Sequence, residues 1–190
     1  MIYDSTRNIT WLADMNYAQS SGYDADGRMT WDTAVQWAAN LVYGGFDDWR
    51  LPTLDPSDTS CSNTANLGGA FPLQYYGYNC TGGELSGLFA TDLGNKPHES
   101  VLDQTGDTAE QIANLALFGN VQSSHYWSGT EFAPDTDFVW SLGTDDGLQN
   151  FGGKDFAFHA VAVRSGDTVS RVPEPQSLAL SLLGLLGLAC

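Results

Sequence analysis

The sequence predicts an α+β fold with two main helices and a C-terminal antiparallel β meander. Three observations predict it. Apolar residues recur at helical spacing over residues 31–42 and 84–93. From Tyr126 onward they fall instead into short alternating runs divided by Gly/Asp turns. Helices early and strands late are the segregated order expected of α+β domains. The 190 residues suit one domain of ordinary size rather than two. Residues 1–168 read as that domain, 169–176 as a linker and 177–190 as an apolar tail.

Each element has a local reason. Ile2-Tyr3-Asp4 and Ile9-Thr10-Trp11-Leu12 are short β-type runs around the polar turn at residues 5–8. Residues 23–27 form a Gly/Asp turn. Thr30 then stands as N-cap for a helix over 31–42, in which Ala34, Val35, Ala38, Leu41 and Val42 share one face and Gly44-Gly45 ends the pattern. A second helix is expected over 84–93, with Leu85, Leu88, Phe89 and Leu93 on one side, and a short third over 111–118. Strands are expected at 126–129, 138–142, 148–151 and 156–163, with Thr144-Asp145-Asp146-Gly147 as a hairpin turn.

Composition excludes several partners. Seven Lys+Arg against 23 Asp+Glu leave a net charge of −16, and the basic residues are scattered singly. Nucleic acid, anionic membrane surfaces and heavily sulfated polysaccharides need clustered cations, so they are poor partners. Disorder is excluded too: charged residues are 16%, aromatics 12% and hydrophobics 42%, a folding composition.

Cys61 and Cys80 flank a segment dense in Ser, Asn, Gly and Tyr. A disulfide there closes a loop of about 20 residues and contributes on the order of 3 kcal/mol; the alternative is two free thiols. Neither belongs to a C-x-x-C pair, which argues against zinc. The N-terminus has no basic region followed by an apolar one, so it does not read as a signal peptide. At the other end Val172-Pro173-Glu174-Pro175 runs into an uncharged stretch from Ser177 to Cys190. Its 14 residues make a helix of about 21 Å, short of the roughly 30 Å hydrocarbon core. This motif and tail resemble a PEP-CTERM sorting signal, here without the basic end. The resemblance implies export in a Gram-negative-type bacterium, tail removal by an exosortase-like enzyme, and residence in the envelope or exopolysaccharide matrix.

The Thr30-Trp31 helix start, Gly45-Phe46-Asp47-Asp48-Trp49-Arg50-Leu51-Pro52-Thr53, Tyr126-Trp127-Ser128-Gly129-Thr130-Glu131 and Ala162-Val163-Arg164 occur in this order. Together they resemble the Lcl C-terminal domain family, named for the terminal domain of a bacterial collagen-like adhesin. The arrangement is also similar to formylglycine-generating-enzyme-type domains, which implies a C-type lectin-like fold. Arg50 is expected to stack on an aromatic ring or pair with a carboxylate inside the fold.

No enzyme is expected. Formylglycine-type catalysis needs a reactive cysteine pair late in the fold, and no cysteine lies between Cys80 and Cys190. His98, His125 and His159 lack the spacing of an iron site, and no Gly-x-Ser-x-Gly elbow is present. Glu131, Asp135 and Asp137 supply carboxylates for a hydrolase or for calcium, but as a group they fit a solvated loop better. The sequence implies no cofactor; calcium is the weaker alternative, in Asp24-Ala25-Asp26-Gly27 or the 131–137 loop. Binding is the stronger reading. Tyr75, Tyr76 and Tyr78 offer flat aromatic faces for sugar stacking, and Glu131, Phe132, Asp135 and Asp137 form a second candidate surface. The expectation is a non-enzymatic adhesion, recognition or matrix module for polysaccharide. A structural or protein-binding surface component, including a hypervariable ligand-binding protein, is the alternative.

Overall fold

A computed structural model of the chain describes residues 1–69 and 71–168. The Val172–Pro173–Glu174–Pro175 motif and the apolar tail lie outside the described residues. The architecture is α+β. In chain order come β1 (Ile2–Asp4), β2 (Ile9–Trp11), α1 (Tyr17–Ser20), β3 (Arg28–Met29), α2 (Trp31–Ala39), β4 (Asn63–Ala65), β5 (Gln74–Tyr76) and α3 (Gly83–Ser86). A π-helical segment, Gly87–Asp92, continues α3, and α4 (Ala109–Leu115) follows. The remaining strands are β6 (His125–Glu131), β7 (Phe138–Gly143), β8 (Gln149–Gly153), β9 (Phe158–His159) and β10 (Val163–Ser165).

Among the described residues three sheets form, ordered β1-β2-β10, β3-β9-β6-β7-β8 and β4-β5. The expected meander is β6-β7-β8, antiparallel throughout. Its sheet is buried on both faces at the centre. Trp127 stands opposite Ser141, whereas Trp140 stands opposite Phe151, so the two tryptophans project to opposite sides. Both are fully buried. Below one face Trp140 packs with Phe132 and Phe151; on the other Trp127 packs on Phe158 and donates Nε1–H to the Met29 carbonyl at 2.8 Å.

Several boundaries differ from expectation. The strand anticipated over 156–163 is divided. Phe158–His159 pairs in parallel with β6 at Tyr126, and Val163–Ser165 instead joins β2. Residues Ala160, Val161 and Ala162 cross between the sheets fully buried, which explains why the sequence shows no polar break between the two pairings after His159. Helix α2 ends at Ala39, short of residue 42, because the Asn40 amide donates to the Gln36 carbonyl and closes the last turn. Val42 is left exposed. The second helix does bury Leu85, Leu88, Phe89 and Leu93, but it widens after Ser86; Leu93 N–H reaches the carbonyl of Leu88, five residues back. Helix α4 starts earlier than residue 111 because Thr108 and Gln111 form a reciprocal capping box. His159 is buried; burial and then Arg28 push its imidazole below the ordinary histidine range.

Candidate functional site

The sequence blocks that mark the family meet at one place. Trp31, Val35 and Ala39 lie at helical spacing on one stripe of α2 and form one wall of a groove. The stretch Trp49, Arg50, Leu51 and Thr53 forms the other wall, and Gly129 of β6 lies between them. The groove has a volume of about 300 Å³. Hydrogen bonds fix its walls: the Gly129 N–H donates to the Pro52 carbonyl, the Arg50 and Val163 backbones bond in both directions, and the Trp31 indole donates to the Ser128 carbonyl at 2.8 Å. Gly129 is exposed. A β-carbon there would meet Leu51 at 3.4 Å and the Pro52 carbonyl at 3.8 Å, so the open space at this point comes from the missing side chain.

The charges around the groove are paired. Arg50 binds Glu84 through both terminal nitrogens, at 2.7 and 2.6 Å, as the sequence led us to expect of an arginine in this block. Glu84 also accepts the Thr53 N–H at 2.9 Å. Burial opposes its charge, but the bonds from Arg50 and Thr53 outweigh that and hold its carboxyl below the usual range. Gly83 makes the approach feasible. Its φ is +78°, and a β-carbon would fall 2.8 Å from the Asp55 nitrogen. On the far rim Lys154 lies over the Trp31 ring, 4.2 Å from its centroid, and pairs with Glu131.

Glu84→Gln is expected to destabilise the fold by about 1–2 kcal/mol, less than a fully buried pair because Arg50 remains partly solvated. The shift in urea midpoint measures it; an unchanged midpoint would mean that the pair contributes nothing net.

The candidate ligand residues are distributed differently. Tyr75 and Tyr76 are consecutive on β5 and so point to opposite faces. Tyr76 packs against the core, while Tyr78 rests on His98 with ring centroids 4.2 Å apart. All three are half-buried, and they make no common platform. Phe132 is buried and stacked on Phe151 at 4.1 Å. Asp135 and Asp137 are exposed; Asp135 Oδ1 accepts the Asp137 N–H in a local turn. Glu131 is the member of this group that reaches the groove, through Lys154.

Among the described residues, metal-ligating atoms of three His, Cys, Asp or Glu side chains come within 4.8 Å of one another at Asp58, Cys61 and Cys80. There both sulfurs are engaged in the Cys61–Cys80 disulfide. The Glu131, Asp135 and Asp137 carboxylates do not converge in this way. No helix among the described residues is long and apolar enough to cross a membrane.

The sequence placed Val35 on the apolar helix face, Trp31 at a helix start, Thr53 and Gly129 inside the family blocks and Arg50 in a pair within the fold, but assigned none of them, nor Lys154, to a binding site. The available signal was that three separate sequence blocks, Thr30-Trp31, 45–53 and 126–131, each carried a Trp or a Gly without an assigned task.

A disulfide-closed α+β domain with one aromatic groove is the class of protein that this fold and site define. The chain belongs to the Lcl C-terminal domain family, whose model matches residues 1–164. No curated protein and no solved structure matches it. Family membership points to a secreted or surface domain, and the disulfide is consistent with export.

Proposed function

We propose that this domain is an exported, non-enzymatic recognition or matrix module that binds an uncharged stretch of polysaccharide in the Trp31–Trp49–Gly129 groove. The observation that carries this reading is the groove itself: an apolar, aromatic trough whose bordering charges, Arg50 with Glu84 and Lys154 with Glu131, are already paired. Such a surface suits the C–H face of a sugar ring with hydroxyls directed to the polar rim. The net charge of −16 opposes sulfated chains. In the same reading the Val172-Pro173-Glu174-Pro175 stretch serves as a sorting signal cut by an exosortase-like enzyme, the domain is C-type lectin-like, and the protein resides in the envelope or matrix.

The test is binding of the protein to a glycan panel that includes the source organism's own exopolysaccharide, in calcium and then in EDTA. Trp31→Ala is expected to weaken binding about tenfold, the equivalent of one lost stacking contact. Gly129→Leu places a side chain in the groove and is expected to have at least the same effect. Binding that survives both variants would move the site elsewhere. Loss in EDTA would assign an ion to the acidic loops. No glycan binding at all would favour a protein-binding or structural role.

A further inference from the structure

Strand β9 consists of Phe158 and His159, and it joins β3 to the rest of the five-stranded sheet. On one side it pairs antiparallel with Arg28 and Met29; on the other His159 pairs in parallel with Tyr126 of β6. Because β3 leads directly into α2, this short strand also sets where one wall of the groove begins. A titratable side chain stands inside the joint. His159 is 5% exposed and lies against the buried Tyr126 ring, with centroids 5.6 Å apart. Its Nδ1 is buried and has no hydrogen-bond partner among the described residues.

A neutral imidazole tolerates this setting, because only one of its nitrogens carries a proton. An imidazolium does not. Both nitrogens then donate, Nδ1–H meets no acceptor, and the charge itself is buried. The neighbours do not make up the loss. From β3 and the turn before it, Arg28, Asp26 and Asp24 act on the ring. Arg28 is fixed there by two bonds from its guanidinium to the Ala157 carbonyl, at 3.1 and 2.9 Å. The carboxylates are already engaged: Asp24 Oδ1 accepts the amides of Asp26 and Gly27, and Asp26 Oδ1 accepts that of Arg28. From β6 the neighbour is Tyr126, whose burial keeps its phenol protonated, while His125 stacks on Phe158, the other residue of β9. Burial first and Arg28 second lower the proton affinity of His159; Asp26, the Gly27 backbone and Asp24 oppose them and are outweighed.

We propose that His159 is an acid-sensitive latch: its protonation releases β3 from β9 and loosens the start of α2, and with it the groove. The mechanical link is short. Met29, the partner of Phe158, accepts the Trp127 indole bond; Trp31, two residues on, lines the groove and donates its amide to the Lys154 carbonyl just ahead of β9. The sign follows from linkage. In the unfolded chain the imidazole takes its proton near about pH 6.5, and in the folded protein only at lower pH. Through that interval the unfolded state binds more protons, so stability is full above it and is lost as the pH falls. Release of ligand on acidification rests on the polysaccharide reading above; the latch itself does not.

The experiment is urea unfolding of the whole chain at about pH 7.5 and about pH 5.5, where carboxylates remain ionised and histidines change charge. The wild-type midpoint is expected to fall on acidification, and that of His159→Gln to fall by less than half as much. His98→Gln and His125→Gln should retain the wild-type fall. Parallel falls in wild type and His159→Gln overturn the proposal, as does a fall that disappears only in His125→Gln. Two readouts need no variant to be stable. The His159 imidazole, followed by NMR, should take its proton below the ordinary histidine range; protonation within or above that range overturns the proposal. Hydrogen exchange, corrected for its intrinsic pH dependence, should show protection lost first at residues 28, 29, 158 and 159; loss spread evenly over the sheet overturns a local latch. Glycan affinity in the groove should drop severalfold over the same interval in wild type and hold in His159→Gln. Affinity that holds in both overturns the coupling to the groove, whereas absence of any glycan binding counts against the polysaccharide reading alone, since the other readouts use no glycan.

Discussion

Trp127→Ala is expected to lower the unfolding free energy by about 3–5 kcal/mol, the range for removing a large aromatic side chain from a packed interior. Trp127 has no exposed surface, stacks on Phe158 with centroids 4.4 Å apart, and supplies the hydrogen bond that Met29 O accepts. Its loss opens a cavity, leaves that carbonyl unsatisfied, and loosens β3 just ahead of the helix that forms one groove wall. The measurement is equilibrium urea unfolding followed by tryptophan fluorescence and far-UV circular dichroism. Glycan binding should weaken in parallel, because Trp31 follows Met29 by two residues. A loss under about 1 kcal/mol would mean that neighbouring side chains collapse into the space, contrary to the close packing described.

Reducing the Cys61–Cys80 disulfide, or replacing both cysteines by serine, is expected to cost about 3 kcal/mol, from the entropy of a loop of this length. The sequence separation is 19. The enclosed segment has little interior of its own: a three-residue hairpin, β4–β5, tied to the domain chiefly by reciprocal backbone bonds between Gly77 and Gln149. Gln149 is fully buried and its amide carbonyl accepts from Ser86 at 2.7 Å. Thermal melts with and without reductant measure the difference. Hydrogen exchange should show the extra opening first at 63–65 and 74–76. An unchanged melting temperature in reductant would place the stability of this segment in the Gln149 contacts instead.

The α+β class, the meander, the order of the helices and the core residues of the second helix were legible because each depends on local spacing. Leu85, Leu88, Phe89 and Leu93 repeat at a helical period whether the turn is α or π, so the pattern reveals the face but not the widening. The division of 156–163 was illegible for a related reason. Ala160, Val161 and Ala162 are buried from all sides, and a run without alternation does not say where one pairing ends and another begins. The tyrosines Tyr75, Tyr76 and Tyr78 were conspicuous as residue types, but their directions depend on β5, a strand of three residues, and on the turn at Gly77. The groove was the hardest feature to read. It joins residues 31–39, 49–53 and 129, and its defining element at Gly129 is a missing side chain, which carries no signal until the neighbours are known.

The sheet β1-β2-β10 has a mechanical consequence. Ile2 and Val163 both stand opposite Trp11, and Asp4 and Ser165 both stand opposite Ile9. The first and last strands of the domain therefore run side by side in the same direction, separated by β2 and about 10 Å apart. Tension applied between Ile2 and Ser165 pulls β1 backwards and β10 forwards along their own axes. It strains both ladders at once in shear rather than unzipping them bond by bond. A domain held at one end and loaded at the other would thus resist force through this three-stranded sheet, with the groove walls, anchored on Val163 through Arg50, directly coupled to the strand that bears the pull.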